Sequence, residues 1–446
     1  MALAARAQRP TYRLAPMPPD TSFSATGFAM LRILCALFCL TFHAANAQTL
    51  ATKTGDIRVE TVAQGFETPW SLAFLPGGHA LLSEREGRLW LLDGAGQAQP
   101  LSGLPEVVPS GQGGLLEVLV ARDFATSRHI FLSHTVRHAA GGTGLAITRA
   151  QLSRDQTTLQ NPRRIFEMTP GASGGRHFGG RMVQDASGRL FFTIGDRGAD
   201  ATAQDITRHN GSVLRINSDG TVPRDNPLVG LAGAVPELYS VGHRNPQGLA
   251  FDAKGQLWAH EHGARGGDEI NRILPGRNYG WPVISYGTHY SGLKIGVGTA
   301  RAGMEQPVFY WDPSIAPSGL VIYSGRLWPD WAGQFLVGSL NSDMIIRLAP
   351  GGTAELERIS APQTARVRDL REAPDGSLWM LSEGNGAVYR LTPARYASRA
   401  PAARDGSRLT SAWRGCRVRD RGWCRNARGS ISKNVMARQT HRPRPR

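Results

Sequence analysis

Between residues 48 and 393 the chain has no cysteine; its four cysteines are Cys35, Cys39, Cys416 and Cys424. That absence excludes a disulfide framework and a Cys-ligated zinc site from the body of the protein. The body also lacks a charge bias. Residues 391–446 hold 15 Lys and Arg against 2 Asp and Glu, and residues 1–47 hold 4 against 1, leaving 32 of each sign over residues 48–390. The formal net charge of +16 therefore belongs to the ends. A nucleic-acid partner, which so basic a chain would ordinarily suggest, is not expected for the body. No stretch of the body sustains a 3.6-residue apolar period, which excludes a helical bundle or an α/β sandwich.

Long apolar runs are missing too, with one short exception at residues 33–42. It follows Met30-Leu31-Arg32 and precedes Ala45-Asn46-Ala47, an Ala-x-Ala cleavage pattern just before Gln48. A run of this length is too short to span a bilayer and suits a secretory signal. Residues 1–47 are thus expected to be an N-terminal extension and signal peptide, with Met30 as the natural start. The mature chain is expected to be periplasmic or secreted, without a stable membrane anchor. At the other end, residues 394–446 are rich in Arg, Ser, Ala and Pro and show no periodicity, so a disordered basic tail is expected there.

Glycine, by contrast, is abundant at 53 residues, and it recurs with Asp or Ser in one setting. Six segments carry a turn followed by an apolar pair or triplet. They begin at Leu75, Asp123, Asp185, Asp252, Asp330 and Asp375, and each is followed by a second short strand such as Arg88-Leu89-Trp90-Leu91 or Val388-Tyr389-Arg390-Leu391. An all-β body of more than 300 residues must be a barrel or a repeat array. Six irregularly spaced strand-and-turn repeats predict an all-β, six-bladed β-propeller over residues 48–393. The segment Ile57-Arg58-Val59-Glu60-Thr61-Val62 alternates like a strand and is expected to close the ring by joining the last blade.

A propeller does not specify a function, so chemistry must be sought in the loops. The richest stretch is residues 241–282, with Arg244-Asn245-Pro246-Gln247 and His260-Glu261-His262. His177 lies in a glycine-rich loop before one strand, and Asp196 follows the next, placed to return to the ring and orient it. A carboxylate-held imidazole is a general base near neutral pH; the alternative is a simple turn. His260 and His262 share a strand face, which suits a transition metal or merely a hydrogen-bonded strand end. Arg366 and Arg368 also share a face, fit for a ligand with several carboxylates or for surface pairing with Asp369. Neither glycine-rich loop matches a phosphate or dinucleotide fingerprint.

Taken together, several motifs resemble the soluble glucose/sorbosone dehydrogenases. They are Pro69-Trp70-Ser71-Leu72, Gly111-Gln112-Gly113-Gly114-Leu115, His177-Phe178-Gly179-Gly180-Arg181, Gly242-His243-Arg244-Asn245-Pro246-Gln247-Gly248, Gly267-Asp268-Glu269-Ile270-Asn271 and Asn278-Tyr279-Gly280-Trp281-Pro282. The resemblance runs from about residue 57 to 392. It implies an exported six-bladed propeller that uses pyrroloquinoline quinone (PQQ) and calcium to oxidise aldoses at the anomeric carbon to lactones, passing electrons to an external acceptor. On that resemblance His177 is the base, Asp196 supports it, and Arg244 stabilises charge on the quinone oxygen. Asn245, Arg366 and Arg368 hold the cofactor's carboxylates, and Gln112 faces the substrate at the cofactor site. The main-chain carbonyls of Gly263 and Ala264 ligate calcium. Two departures stand out: Ala264 replaces a common Pro, and Asn341 replaces a common Lys. A calcium-dependent lactonase-like hydrolase and a non-catalytic sugar-binding propeller remain as alternatives.

Overall fold

The computed structural model describes residues 48–395. The expected leader over residues 1–47, and all but the first two residues of the expected tail, lie outside the described residues. Six antiparallel sheets follow one another and close into a six-bladed propeller. The first blade comprises Pro69–Phe74, Ala80–Glu84, Arg88–Leu92 and Ala98–Pro100. The second comprises Leu115–Val120, His129–Arg137, Thr143–Leu152 and Leu159–Glu167. Met182–Gln184, Leu190–Ile194, Ser212–Ile216 and Leu238–Val241 make the third. The fourth is Pro246–Phe251, Leu257–Glu261, Asp268–Ile273 and Phe309–Trp311. The fifth is Pro317–Ile322, Phe335–Ser339, Met344–Leu348 and Glu355–Ser360.

Val367–Glu372, Leu378–Ser382 and Ala387–Pro393 begin the sixth blade. Ile57–Gln64 completes it from the other end of the chain, with Val59 opposite Leu391 and Thr61 opposite Tyr389. This is the closure that the alternation at residues 57–62 predicts. Gln48–Leu50 adds a further strand outside it. Ile57 and Val59 sink into the cluster between blades five and six, beside Val321, Leu370 and Met380. Val59→Asp is therefore expected to cost at least about 3 kcal/mol of stability, since it gives up apolar burial and buries an unpaired carboxylate. Arg58→Gln, on the half-buried opposite face where Arg58 pairs with Glu60 at 2.7 Å, should cost far less. Urea unfolding of the two variants checks this.

All six recurring turns join the first strand of a blade to its second. In blades three, four and six the reason for the recurrence is visible. Asp185 accepts the amides of Ser187 and Arg189 at 2.9 Å each, and Asp252 those of Lys254 and Gln256 at 2.9 Å each. Asp375 does the same for Ser377 at 2.9 Å. Gly188, Gly255 and Gly376 then take φ of 83°, 79° and 88°, a left-handed conformation that strains a side-chain-bearing residue. A short helix, Phe124–Ser127, and a 3-10 turn, Pro329–Trp331, serve in blades two and five. Apolar side chains interlock between every pair of neighbouring blades, as Leu72 and Leu82 do with Leu381 and Val388 where the ring closes.

The first strand of each blade faces the channel. Loops entering those strands, and loops leaving the second strands, therefore gather on one rim. Deeper in the channel four ionised side chains from three blades interlock. Arg181 Nη1 lies 2.9 Å from Glu117 Oε2 and 3.0 Å from Asp369 Oδ1. Arg371 lies 2.5 Å from Glu117 Oε1 and 2.8 Å from Asp369 Oδ2. Charges this deep are tolerated only when paired and hydrogen-bonded, and this group balances to zero.

Candidate active site

Two loops of that rim bring His177 and Asp196 together, as their positions around the third blade predict. His177 Nδ1 stands 2.6 Å from Asp196 Oδ1. The same oxygen accepts the Gly198 amide at 2.6 Å, and Oδ2 accepts the Trp281 indole at 2.8 Å. Burial alone would push the Asp196 carboxyl up, but the His177 hydrogen bond and charge, the Gly198 amide and the Arg244 charge hold it below the usual range. A carboxylate on Nδ1 fixes the tautomer with its proton there and leaves the lone pair on Nε2. Beneath the loop, Arg197 lies 3.2 Å from the Phe178 ring centroid and donates to the carbonyls of Gly174, at 2.6 Å, and Arg176. Burial brings its pKa down to about 9. It holds the backbone that carries His177.

Four other expected site residues line a single cavity: Gln112, Asn245, Arg366 and Arg368. Gln112 Oε1 accepts the His177 amide at 2.8 Å, which ties the cavity to the imidazole loop. Asn245 Oδ1 accepts the Gly179 amide at 3.3 Å and the Gln247 amide nitrogen at 3.2 Å. Arg368 Nε and Nη2 both reach Glu383 Oε2 at 3.1 Å, and Arg366 Nη2 lies 3.6 Å from that oxygen. Burial raises the Glu383 carboxyl; Arg368 and Arg366, with a smaller contribution from Arg85, pull it below the usual range. One carboxylate thus sets two guanidiniums in place and leaves them a net positive charge.

Arg244 is placed by its main chain. Its amide donates to Glu261 Oε2 at 2.5 Å, while Glu261 Oε1 takes His243 Nδ1 at 2.7 Å. Its carbonyl accepts the Asp196 amide at 2.8 Å, so the cation and the imidazole–carboxylate pair are linked through backbone. The guanidinium stands 5.2 Å from the Trp281 ring and donates to the Gly263 carbonyl, one of the two oxygens expected to face a cation. Ala264, the other, is buried beside Trp281. Neither Arg244 nor His177 lines the cavity of the other four residues.

The two strand imidazoles both face the fifth blade, each toward a main-chain carbonyl. His262 Nε2 donates to the Pro317 carbonyl at 2.7 Å, and His260 faces the Gly319 carbonyl at 3.4 Å. Burial drives both pKa values down, to about 4 and about 3. This is the hydrogen-bonded strand end rather than the transition-metal pair. Asn341 is exposed, and its amide points to the Ser314 carbonyl at 3.3 Å. Sequence reasoning missed Glu383, Glu261 and Trp281 as organisers of the site. Trp281 stood inside a quoted motif; Glu383 carried no local signal at all.

Closed ring, cavity and imidazole–carboxylate pair together define a β-propeller with a candidate site on the loops of one rim. The chain belongs to the glucose/sorbosone dehydrogenase family, whose model matches residues 66–390, and it is an oxidoreductase. It is 40% identical over 369 residues to the aldose sugar dehydrogenase YliI of Escherichia coli (strain K12), across 81% of this chain and 98% of that protein. The apo-form crystal structure of the soluble aldose sugar dehydrogenase from Escherichia coli superposes with a TM-score of 0.74 at 40% identity, over 76% of this chain and 99% of that one. The PQQ-bound aldose sugar dehydrogenase from Streptomyces coelicolor gives 0.64 at 30% identity, over 77% and 99%. Among the described residues no helix is long and apolar enough to cross a membrane.

Proposed function

We propose that this protein is an exported, PQQ-dependent aldose dehydrogenase that oxidises the anomeric carbon to a lactone and hands two electrons to an external acceptor. The observation that carries the reading is the pairing of an oriented imidazole, His177, with a cavity on the same rim walled by Arg366, Arg368 and Asn245. Those residues suit a planar tricarboxylate: two guanidiniums for carboxylates, an amide, and Trp70 as an apolar wall. Arg244 Nε is buried without a hydrogen-bond partner among the described residues, a donor that a ligand oxygen would satisfy. Bound there, PQQ would supply the two-electron acceptor for the substrate's C1 hydrogen.

The chain's own residues supply the rest. His177 Nε2, basic because Asp196 holds the proton on Nδ1, takes the anomeric hydroxyl proton as the C1–H electron pair departs, and the C1–O bond becomes the lactone carbonyl. Arg244 offers a fixed positive charge where negative charge develops. Among the described residues no three His, Cys, Asp or Glu side chains gather as a metal-holding group. A calcium ion here would therefore draw on main-chain oxygens such as those of Gly263 and Ala264, a hard-cation arrangement, and would have to displace the Arg244 guanidinium from the Gly263 carbonyl. The same shortage of clustered carboxylates leaves the lactonase-like alternative without a side-chain metal site. A periplasmic or secreted location follows from the leader expected at residues 1–47.

The test is reconstitution. Purified protein given PQQ and calcium should show bound-quinone absorbance and reduce a dye with aldoses, and chelation should remove both signals. Arg368→Ala is expected to weaken PQQ binding about 10- to 100-fold, the worth of a charge-assisted pair of hydrogen bonds. A protein that neither binds PQQ nor reduces dye with any aldose would refute the reading.

A further inference from the structure

We propose that Arg85, from the blade next to the one that bears Arg366 and Arg368, is a third guanidinium for the carboxylates of the bound quinone. The proposal rests on the quinone reading above. Arg85 opens the turn after Ala80–Glu84, and its main chain is fixed on both sides. Its amide donates to the Thr68 carbonyl at 3.0 Å, and its carbonyl accepts the Leu115 amide at 2.8 Å. Its stem crosses Gly114, where a Cβ would fall 2.8 Å from Arg85 Cγ and 1.9 Å from the Arg85 carbonyl oxygen. The glycine of the Gly111-Gln112-Gly113-Gly114 loop thus makes room for the arginine.

What sets Arg85 apart is its lack of a committed partner. It lines the same cavity as Gln112, Arg366 and Arg368. Arg366 and Arg368 share Glu383, whereas Arg85 Nε is buried and has no hydrogen-bond partner among the described residues. Its nearest carboxylate oxygen, Glu86 Oε1, lies 3.9 Å away on a side chain that is 46% exposed. The Arg85 side chain as a whole is 25% exposed, so water reaches the rest of the guanidinium, but the buried Nε lacks an acceptor that an occupant of the cavity would supply. Arg85 is also close enough to help hold the Glu383 carboxyl low. Three guanidiniums facing one carboxylate leave this wall with two positive charges in excess, the complement of a polycarboxylate. Asn341, neutral and turned to Ser314, does not line it.

The experiment titrates PQQ into purified apoprotein and follows quinone absorbance and tryptophan quenching, independent of turnover. Arg85→Gln is expected to bind PQQ about 10- to 100-fold more weakly than the wild type, with the gap narrowing as salt rises. Arg85→Met, which keeps the stem over Gly114, carries the same expectation where Arg85→Gln folds poorly. Arg326→Gln, exposed at the far end of the channel, should bind as the wild type does. Equal affinity of both Arg85 variants and the wild type, at matched thermal stability, overturns the proposal. So does unchanged PQQ affinity with a raised KM for acidic sugars alone, which would assign Arg85 to a substrate carboxylate. A wild-type protein that binds no PQQ overturns the quinone reading and this proposal with it.

Discussion

His177→Ala is expected to lower kcat for aldose oxidation by about 10²–10⁴-fold, the usual worth of a general base. Bound PQQ should persist. The ring is not part of the cavity wall formed by Arg366, Arg368 and Asn245, so its loss removes a proton acceptor without removing a cofactor ligand. Asp196→Asn should fall by a comparable factor for a different reason. Both oxygens of Asp196 already accept N–H donors, from His177 and Gly198 on one and from Trp281 on the other. An amide must present its NH₂ to one of them. If it faces His177, the tautomer reverses and Nε2 carries the proton, so the base is lost with the ring in place. Steady-state dye reduction and a parallel PQQ titration separate the two effects. A His177→Ala enzyme that oxidises aldoses at the wild-type rate would end the mechanism.

The fold was legible because its repeating unit is local. An Asp whose carboxylate caps the amide two residues on, close before or beside a left-handed glycine, is one short string, and it marks the first-to-second-strand turn at Asp185, Asp252 and Asp375 alike. The His177–Asp196 pair was legible for the same reason, since successive strands of one blade return the chain to the same rim. Glu383 holds the corresponding place in blade six, leaving the second strand with its amide on the Arg366 carbonyl at 3.0 Å, but it was missed because an isolated Glu before Gly384 carries no motif to single it out. The two imidazoles of His260-Glu261-His262 left two readings open, a transition-metal pair and a hydrogen-bonded strand end. Strand alternation correctly put them on one face, but only the neighbouring blade shows that the carbonyls of Pro317 and Gly319 occupy them. Arg181 and Glu117 meet across two blades, a long-range pairing that no local string encodes.

That pairing sets the largest stability effect. Arg181→Met is expected to cost about 3–5 kcal/mol, the range for stripping one partner from a buried ion pair. Arg181 bonds Glu117 and Asp369, donates to the carbonyls of Gln247 at 2.7 Å and Arg368 at 3.0 Å, and stacks 4.2 Å from the Trp70 ring. Without it, Arg371 alone must balance two buried carboxylates, and two carbonyls lose their donors. Burial already pushes the Glu117 carboxyl above its usual value, against the pull of Arg371 and Arg181. A carboxyl whose folded pKa is raised destabilises the fold when ionised and relieves it when protonated. Removing Arg181 raises it further, so the deficit should be largest at high pH and shrink as pH falls through the raised value. The double variant Arg181→Met/Glu117→Gln restores the charge balance between Arg371 and Asp369. It should recover about 1–3 kcal/mol of the single variant's loss, a coupling expected of groups in direct contact. Urea unfolding at roughly pH 5 and roughly pH 8 reads both effects. A loss below about 1 kcal/mol, or a double variant no more stable than Arg181→Met, would mean that the channel charges are not coupled as their geometry implies.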